Sequence, residues 1–217
     1  MRRHFFEKVL HEHNADAIAL AHHLQDQEET FFIRLIRGSS LTGLTAMKPK
    51  HGAYIRPLLE THKIDILAWL HENNIAYATD VTNESSDYLR NRIRMNVLPA
   101  LRNCDDRFET NFLATLNRLK TTEQFLEQLT QKTFNEISYI QDNQRFININ
   151  QLIIIDEPLR TRVLMHWLIT ENVHFPITEA FLDEIIRFLQ TPQGGTHNIH
   201  EQWSIIKKQN LTYIIKK

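Results

Sequence analysis

Histidine and acidic side chains crowd into one stretch of the chain, His22-His23-Leu24-Gln25-Asp26-Gln27-Glu28-Glu29-Thr30. It follows a short apolar run, Ala15–Ala21, that reads as a buried strand. In an open α/β sheet, ligands bind beyond the carboxyl ends of the strands, and His22 and His23 would stand at such an end. With a helix beginning near Gln25, Asp26 and Glu29 lie three apart and share one face. Two carboxylates aimed into a cleft can hold a cation, either a metal or an ammonium group. His22 can contact a phosphate or move a proton. The same residues can also form a capped, acidic first turn with a purely structural role, and spacing alone does not choose. A zinc site would need a third ligand that the stretch does not supply. Adjacent histidines point in different directions, so at most one of them does chemistry.

A second cluster is cationic. Arg90, Arg92, Arg94 and Arg102 follow one another with no acid among them. Such a stretch can neutralise phosphates even in a protein without net positive charge. It reads equally as a solvated helix face. Glycine is scarce, with five in the whole chain. Neither GxGxxG nor GxxxxGK followed by Ser or Thr occurs, so this sequence lacks the usual backbone cradle for phosphates.

The elements that must position these residues belong to an ordinary globular chain. It has 217 residues, 25 Lys+Arg against 26 Asp+Glu, and 42% hydrophobic residues. That length buries a sizeable core in one large or two small domains. No apolar run approaches the roughly 18–20 residues of a membrane span. The start, Met1-Arg2-Arg3-His4-Phe5-Phe6-Glu7-Lys8, has an early acid and no small-residue cleavage site, unlike a signal peptide. The single cysteine, Cys104, excludes an intramolecular disulfide and a cysteine-built metal site. The expected location is the cytoplasm.

Periodicity predicts helices over Arg2–His13, Gln25–Arg37, Lys63–His71, Asp87–Leu101, from Asp105-Asp106 to about Ile137, Pro158–Glu171 and Glu179–Gln190. Gly38 is placed to end the second, and Thr61 and Thr178 to cap the third and the last. On the Lys63–His71 helix, Ile64, Ile66, Leu67, Trp69 and Leu70 are expected to face inward. Tyr54–Leu59 reads as extended, Ile75–Ala78 as a weak strand, and Asp80–Ser86 as a polar loop. Arg145–Ile149, His197–Ile199, Trp203–Ile206 and Leu211–Ile215 read as strands. The alternation over residues 1–103 is the pattern of a parallel α/β sheet. Residues 104–217 read as mainly helical with a small β element at the end.

Four ordered segments carry a family resemblance. They are Ala21–Thr30 with Arg34-Leu35-Ile36-Arg37-Gly38 and Leu41-Thr42-Gly43-Leu44, then Ile55-Arg56-Pro57-Leu58-Leu59. Asp80-Val81-Thr82-Asn83 and Tyr88-Leu89-Arg90-Asn91-Arg92-Ile93-Arg94, ending at Leu98-Pro99, follow. Together they resemble the tRNA(Ile)-lysidine synthetases of the PP-loop ATP-pyrophosphatase superfamily. The resemblance implies an α/β fold. Residues 1–103 would be the C-terminal portion of a PP-loop domain of the adenine nucleotide alpha hydrolase type, and 104–217 a helical tRNA-binding domain. It implies a ligase. ATP adenylates the C2 carbonyl oxygen of the wobble cytidine, and the amino group of lysine displaces AMP to form lysidine. ATP and Mg2+ are the implied requirements. tRNA(Ile) with a CAU anticodon and free L-lysine are the implied partners, with homodimerisation left open. By the same resemblance, Asp26 and Glu29 would face the lysine ammonium. His22 would act in catalysis with Asp26 and lie near the ATP phosphates. Arg37 and Arg56 would line the ATP cleft, and Asn91, Arg92 and Arg94 would contact tRNA. The ordinary alternatives are a helix C-terminal charge for Arg37 and a strand-end salt bridge for Arg56.

The sequence departs from that family in two places. The SGGxDS loop that wraps pyrophosphate and helps hold magnesium is not in it. Phosphate binding needs several converging backbone N–H donors, so this chain is expected to be inactive alone. Gln25 stands where many relatives carry an acid. A PP-loop tRNA thiolase would need paired cysteines, which one cysteine opposes. The remaining alternative is a non-catalytic RNA-binding or partner module derived from the enzyme.

Overall fold

The computed structural model describes residues 2–78, 88–176 and 178–217. The Asp80–Ser86 segment, with the Asp80-Val81-Thr82-Asn83 motif, lies outside them, as does Asp87. The chain forms two compact units, residues 1–123 and 124–217.

In the first unit, α1 (Arg2–Glu12) ends before Asn14, which takes a φ of 47°. Asparagine tolerates this left-handed conformation better than most residues. The strand expected over Ala15–Ala21 is realised as β1 (Ile18–Ala19). It pairs in parallel with β3 (Tyr54–Ile55), Ile18 opposite Tyr54 and Ala19 opposite Ile55. β2 (Lys50–His51) pairs antiparallel with β3, giving the order β1-β3-β2. Among the described residues, the expected parallel sheet is therefore one parallel pair and a short hairpin.

Helix α2 (Leu24–Ile36) follows β1 and stops at Gly38, whose φ of +69° suits a residue without Cβ. A one-turn helix, α3 (Leu41–Leu44), is tied to α2 by Arg34, which donates to the carbonyls of Gly43 and Ala46, each at 2.7 Å. Buried Gln27 makes a reciprocal pair with the Met47 backbone at 2.7 and 3.0 Å. His62 rather than Thr61 holds the N-cap position of helix α4 (Lys63–Glu72), without a capping bond from its side chain. Ile64 and Trp69, both expected inward, are 73% and 56% exposed. Ile66, Leu67 and Leu70 form the stripe that the one-sided packing of α4 covers, and Ile64 and Trp69 fall off it. Ile75–Ala78 is exposed coil instead of the expected strand.

The helix expected over Asp87–Leu101 is described from Leu89 and runs on to Cys104, divided into α5 (Leu89–Arg92), a π-helical turn (Ile93–Val97) and α6 (Leu98–Cys104). Pro99 explains the division. Its ring would meet the carbonyl four residues back in a regular α-helix, and the wider turn makes room. Helix α7 (Phe108–Ile137) ends where its periodicity ends. Its first part contributes Phe112 and Leu116 to a core with Leu24 and Ala46. Phe31 meets Phe112 edge to face at 5.3 Å. This packing places Phe108–Glu123 with the first unit, although the alternation of strands and helices in the sequence divides the chain near residue 103.

The second unit is built on a larger core that includes Phe134, Ile147, Leu164, Trp167, Leu168 and Ile185. A hairpin, β4 (Ser138–Gln141) and β5 (Gln144–Asn148), turns at Asp142-Asn143, both with positive φ, as a tight hairpin requires. Helices α8 (Ile149–Ile154), α9 (Glu157–Thr170) and α10 (Glu179–Gln190) follow. The Thr178 hydroxyl accepts from the Phe181 N–H at 3.3 Å, the expected cap. Strands β6 (Gly195–His200), β7 (Trp203–Lys208) and β8 (Leu211–Lys216) complete an antiparallel sheet of order β4-β5-β8-β7-β6. The β element is thus five strands, larger than the sequence suggests. Buried Lys207 donates its ammonium to the carbonyls of Leu189 and Thr191 at the end of α10. A cation there complements the helix C-terminus. No helix among the described residues is long and apolar enough to cross a membrane.

Candidate active site

The parallel pair positions the first set of site residues. Chain leaving the carboxyl ends of β1 and β3 carries His22 and Arg56 to one cleft of about 420 Å³. Leu20, Ala21, His51, Tyr54 and Phe6 complete its lining. This is the position where open α/β sheets hold ligands. The His22 Nδ1 is buried and has no partner among the described residues. Burial holds the imidazole below the ordinary histidine range, and Arg56, Arg90 and His23 push the same way against Asp26. A neutral ring with a free nitrogen is suited to exchange a hydrogen bond with a ligand. Arg56 donates one Nη1 bond to the Lys48 carbonyl at 2.9 Å, while its Nε has no partner among the described residues.

Helix α2 positions the second set. Asp26 and Glu29 share a face, as their spacing predicts, and that face meets arginines. Asp26 accepts the His23 N–H at 3.0 Å, which closes the helix start, and an Arg90 Nη2 bond at 2.6 Å. Glu29, with no exposed surface, accepts Arg90 Nε and Arg94 Nε on its two oxygens, each at 2.5 Å. Hydrogen bonding to Glu29 raises the Arg94 pKa and fixes its charge. Gln25 accepts the Lys63 N–H at 2.9 Å and so joins the starts of α2 and α4. A smaller cleft of about 120 Å³ is lined by His23, Glu29, Lys63, Arg94 and Arg102 among others.

A third carboxylate completes the polar layer. Glu28 is fully buried and accepts from Arg102 Nη2 at 2.5 Å. Arg102 also reaches Glu109 at 2.6 Å, and Glu109 lies 3.2 Å from His62. Burial pushes Glu28 up to about 7, with Arg102 opposing and Glu109 reinforcing the shift.

The remaining expected site residues separate. Arg37 is exposed at the C-terminal end of α2. At 1.5 Å per residue that end lies about 20 Å from the His22 end, so Arg37 does not share the cleft with Arg56. Asn91 is buried, Arg92 is exposed, and Arg94 turns inward to Glu29. Sequence reasoning missed Arg90 and Arg102 as carboxylate partners. The signal was present in Arg90 and Arg94, four apart, opposite Asp26 and Glu29, three apart. Among the described residues no three His, Cys, Asp or Glu side chains converge as a metal site; arginines hold both Glu29 oxygens and one of Asp26, and the His23 N–H holds the other. The described residues therefore do not fit the magnesium ion that the resemblance implies.

A family model described as a PP-loop domain matches residues 1–101. The chain is 40% identical over 200 residues to a tRNA(Ile)-lysidine synthase of Bacillus subtilis, covering 89% of this chain and 42% of the relative. It is 31% identical over 212 residues to the one of Bacteroides thetaiotaomicron, covering 97% and 47%. It is 32% identical over 220 residues to the one of Francisella philomiragia, covering 98% and 54%. The chain spans about half the length of the curated relatives it matches. A PP-loop domain, a cleft at the ends of its parallel strands and relatives along nearly the whole sequence lead to one conclusion: the chain belongs to the tRNA(Ile)-lysidine synthase family.

Proposed function

We propose that this chain supplies part of the machinery for lysidine formation, a cytoplasmic ligation of lysine to the wobble cytidine of tRNA(Ile). The observation that carries the reading is His22 and Arg56 together on one cleft at the carboxyl ends of β1 and β3. ATP would enter there. The Arg56 guanidinium offers a planar cationic fork to phosphate. His22, neutral and unpartnered at Nδ1, would hold or move a proton as the activated C2 oxygen and the lysine amine react. Asp26, still partly exposed, would receive the lysine ammonium in exchange for Arg90. Glu29, fully enclosed, would act by holding Arg90 and Arg94 in position. Arg37 would reach nucleotide only from the far end of α2. Arg92 is the exposed member of the expected tRNA contacts.

A second reading is an RNA-binding module without catalysis of its own, built on the exposed Arg92 of the cationic stretch. The test is ATP-dependent incorporation of labelled lysine into unmodified isoleucine tRNA. It is run with this chain and with a version carrying an upstream SGGxDS segment. Activity confined to the longer version supports the ligase reading. Activity in neither, with tRNA still bound, favours the module. In the active version, Asp26→Asn should chiefly raise the KM for lysine, and unchanged lysine kinetics would reject its assignment.

A further inference from the structure

The sheet of the second unit has two unlike faces. Ile147, Ile199, Ile205 and Ile214 belong to the core. The opposite face is made by alternate residues, and the pairing register lays one row straight across it. Tyr139 is opposite Phe146, Tyr213 is opposite Ile206, and Ile206 is opposite Thr196. Phe146 and Tyr213 join the two halves of the row, with ring centroids 5.1 Å apart. Tyr139 and Phe146 are stacked at 5.5 Å with 20° between their planes. None of these rings belongs to the core, and Tyr139 is 44% exposed. Amides of Gln141 and Asn198 flank the row on one side, by the same register. Lys208 stands on the other, its Nζ 5.8 Å from the centre of the Tyr213 ring. No outward position of the five strands carries a carboxylate.

We propose that this face is a stacking platform for unpaired bases of an RNA strand. A row of rings offers π-faces to successive bases, amides beside it match base edges, and a lysine on an acid-free surface favours the phosphate backbone. The proposal rests on the reading that RNA is this protein's substrate and adds a surface outside the His22 cleft.

The test uses the full chain with fluorescent oligouridylate, single-stranded or paired with oligoadenylate. The single strand should bind more tightly than the duplex. Phe146→Ala and Tyr213→Ala should each weaken it about tenfold, and Phe146→Tyr should restore it. Lys208→Gln should flatten the salt dependence, which a merely unfolded variant would not do selectively. Wild-type affinity in both alanine variants, or preference for the duplex, overturns the proposal. So does a wild-type dimer in sedimentation that Phe146→Ala dissolves, because the face would then be an interface between copies. Lysine incorporation by the extended protein reads the parent proposal separately. If it persists while affinity ignores the rings, only the platform fails. If it is absent while affinity depends on the rings, only the reaction assignment fails.

Discussion

Arg94 donates its Nε–H to Oε1 of Glu29 at 2.5 Å, and Arg90 takes the other oxygen of the same carboxylate. Glu29 has no exposed surface, while the two arginine side chains keep 34% and 43% of theirs. The pair is therefore asymmetric. Breaking a buried ion pair typically costs about 3–5 kcal/mol when a charge is stranded. With Glu29→Gln the arginines can turn to water, so the expected loss is smaller, about 1–3 kcal/mol. Arg94→Ala should cost less again, because Arg90 still partners the carboxylate. Urea unfolding of the two variants checks the order, and a larger loss in Arg94→Ala would reverse the account.

That asymmetry also marks what was legible in the sequence. Local rules sufficed where one element decides the outcome. The α7 end at Ile137, the Thr178 cap and the Gly38 stop follow from periodicity and terminal chemistry. The facing of Asp26 and Glu29 followed from helical spacing. Their partners did not, because Arg90 and Arg94 come from over sixty positions away and only the packing of α5 and the π-helical turn against α2 brings them near. Thr61 was the better cap by residue type, yet His62 holds the position because the Thr61 carbonyl is taken by the Leu24 N–H at 3.0 Å. The first strand of the β4–β5 hairpin was hidden because Ser138 continues directly from a thirty-residue helix.

Glu28 predicts a pH dependence. Its folded-state pKa, raised to about 7, lies above the ordinary value of 4.5. Below pH 4.5 the carboxyl is neutral in both states and the fold bears no penalty. As pH rises from 4.5 toward 7, the unfolded chain ionises first and is favoured. Glu28 therefore contributes stability that is lost across that window, on the order of 2–3 kcal/mol. Glu28→Gln should flatten the stability profile between these pH values. Thermal melts at several pH values read it, and an unchanged slope would mean that Arg102 keeps the carboxylate charged throughout.

His22 should titrate below the ordinary histidine value, because burial disfavours its cation. The neighbours act with known signs. Arg56 lowers the value, so Arg56→Met should raise the midpoint. Asp26 raises it, so Asp26→Asn should lower the midpoint further, with the freed Arg90 adding to the effect. Proton NMR of the imidazole ring gives the three midpoints directly. A shift of the same sign in both variants would place His22 under a different electrostatic influence from the one its neighbours supply.

Arginines of the α5 region separate two electrostatic roles. Arg92 is exposed, whereas Arg94 is engaged by Glu29. A cation that meets a tRNA phosphate releases counterions, and each such contact adds close to one unit to the slope of log affinity against log salt. Arg92→Ala should therefore reduce the slope for tRNA by about one unit, with little effect on stability. Arg94→Ala should leave the slope nearly unchanged and act instead on stability, through the Glu29 carboxylate that loses one of its two arginines. Binding isotherms at several salt concentrations, set beside urea unfolding, distinguish these outcomes. If the slope falls with Arg94 and not with Arg92, Arg94 must exchange its carboxylate for a phosphate when tRNA binds, and the Glu29 pair would be a resting arrangement rather than a permanent one.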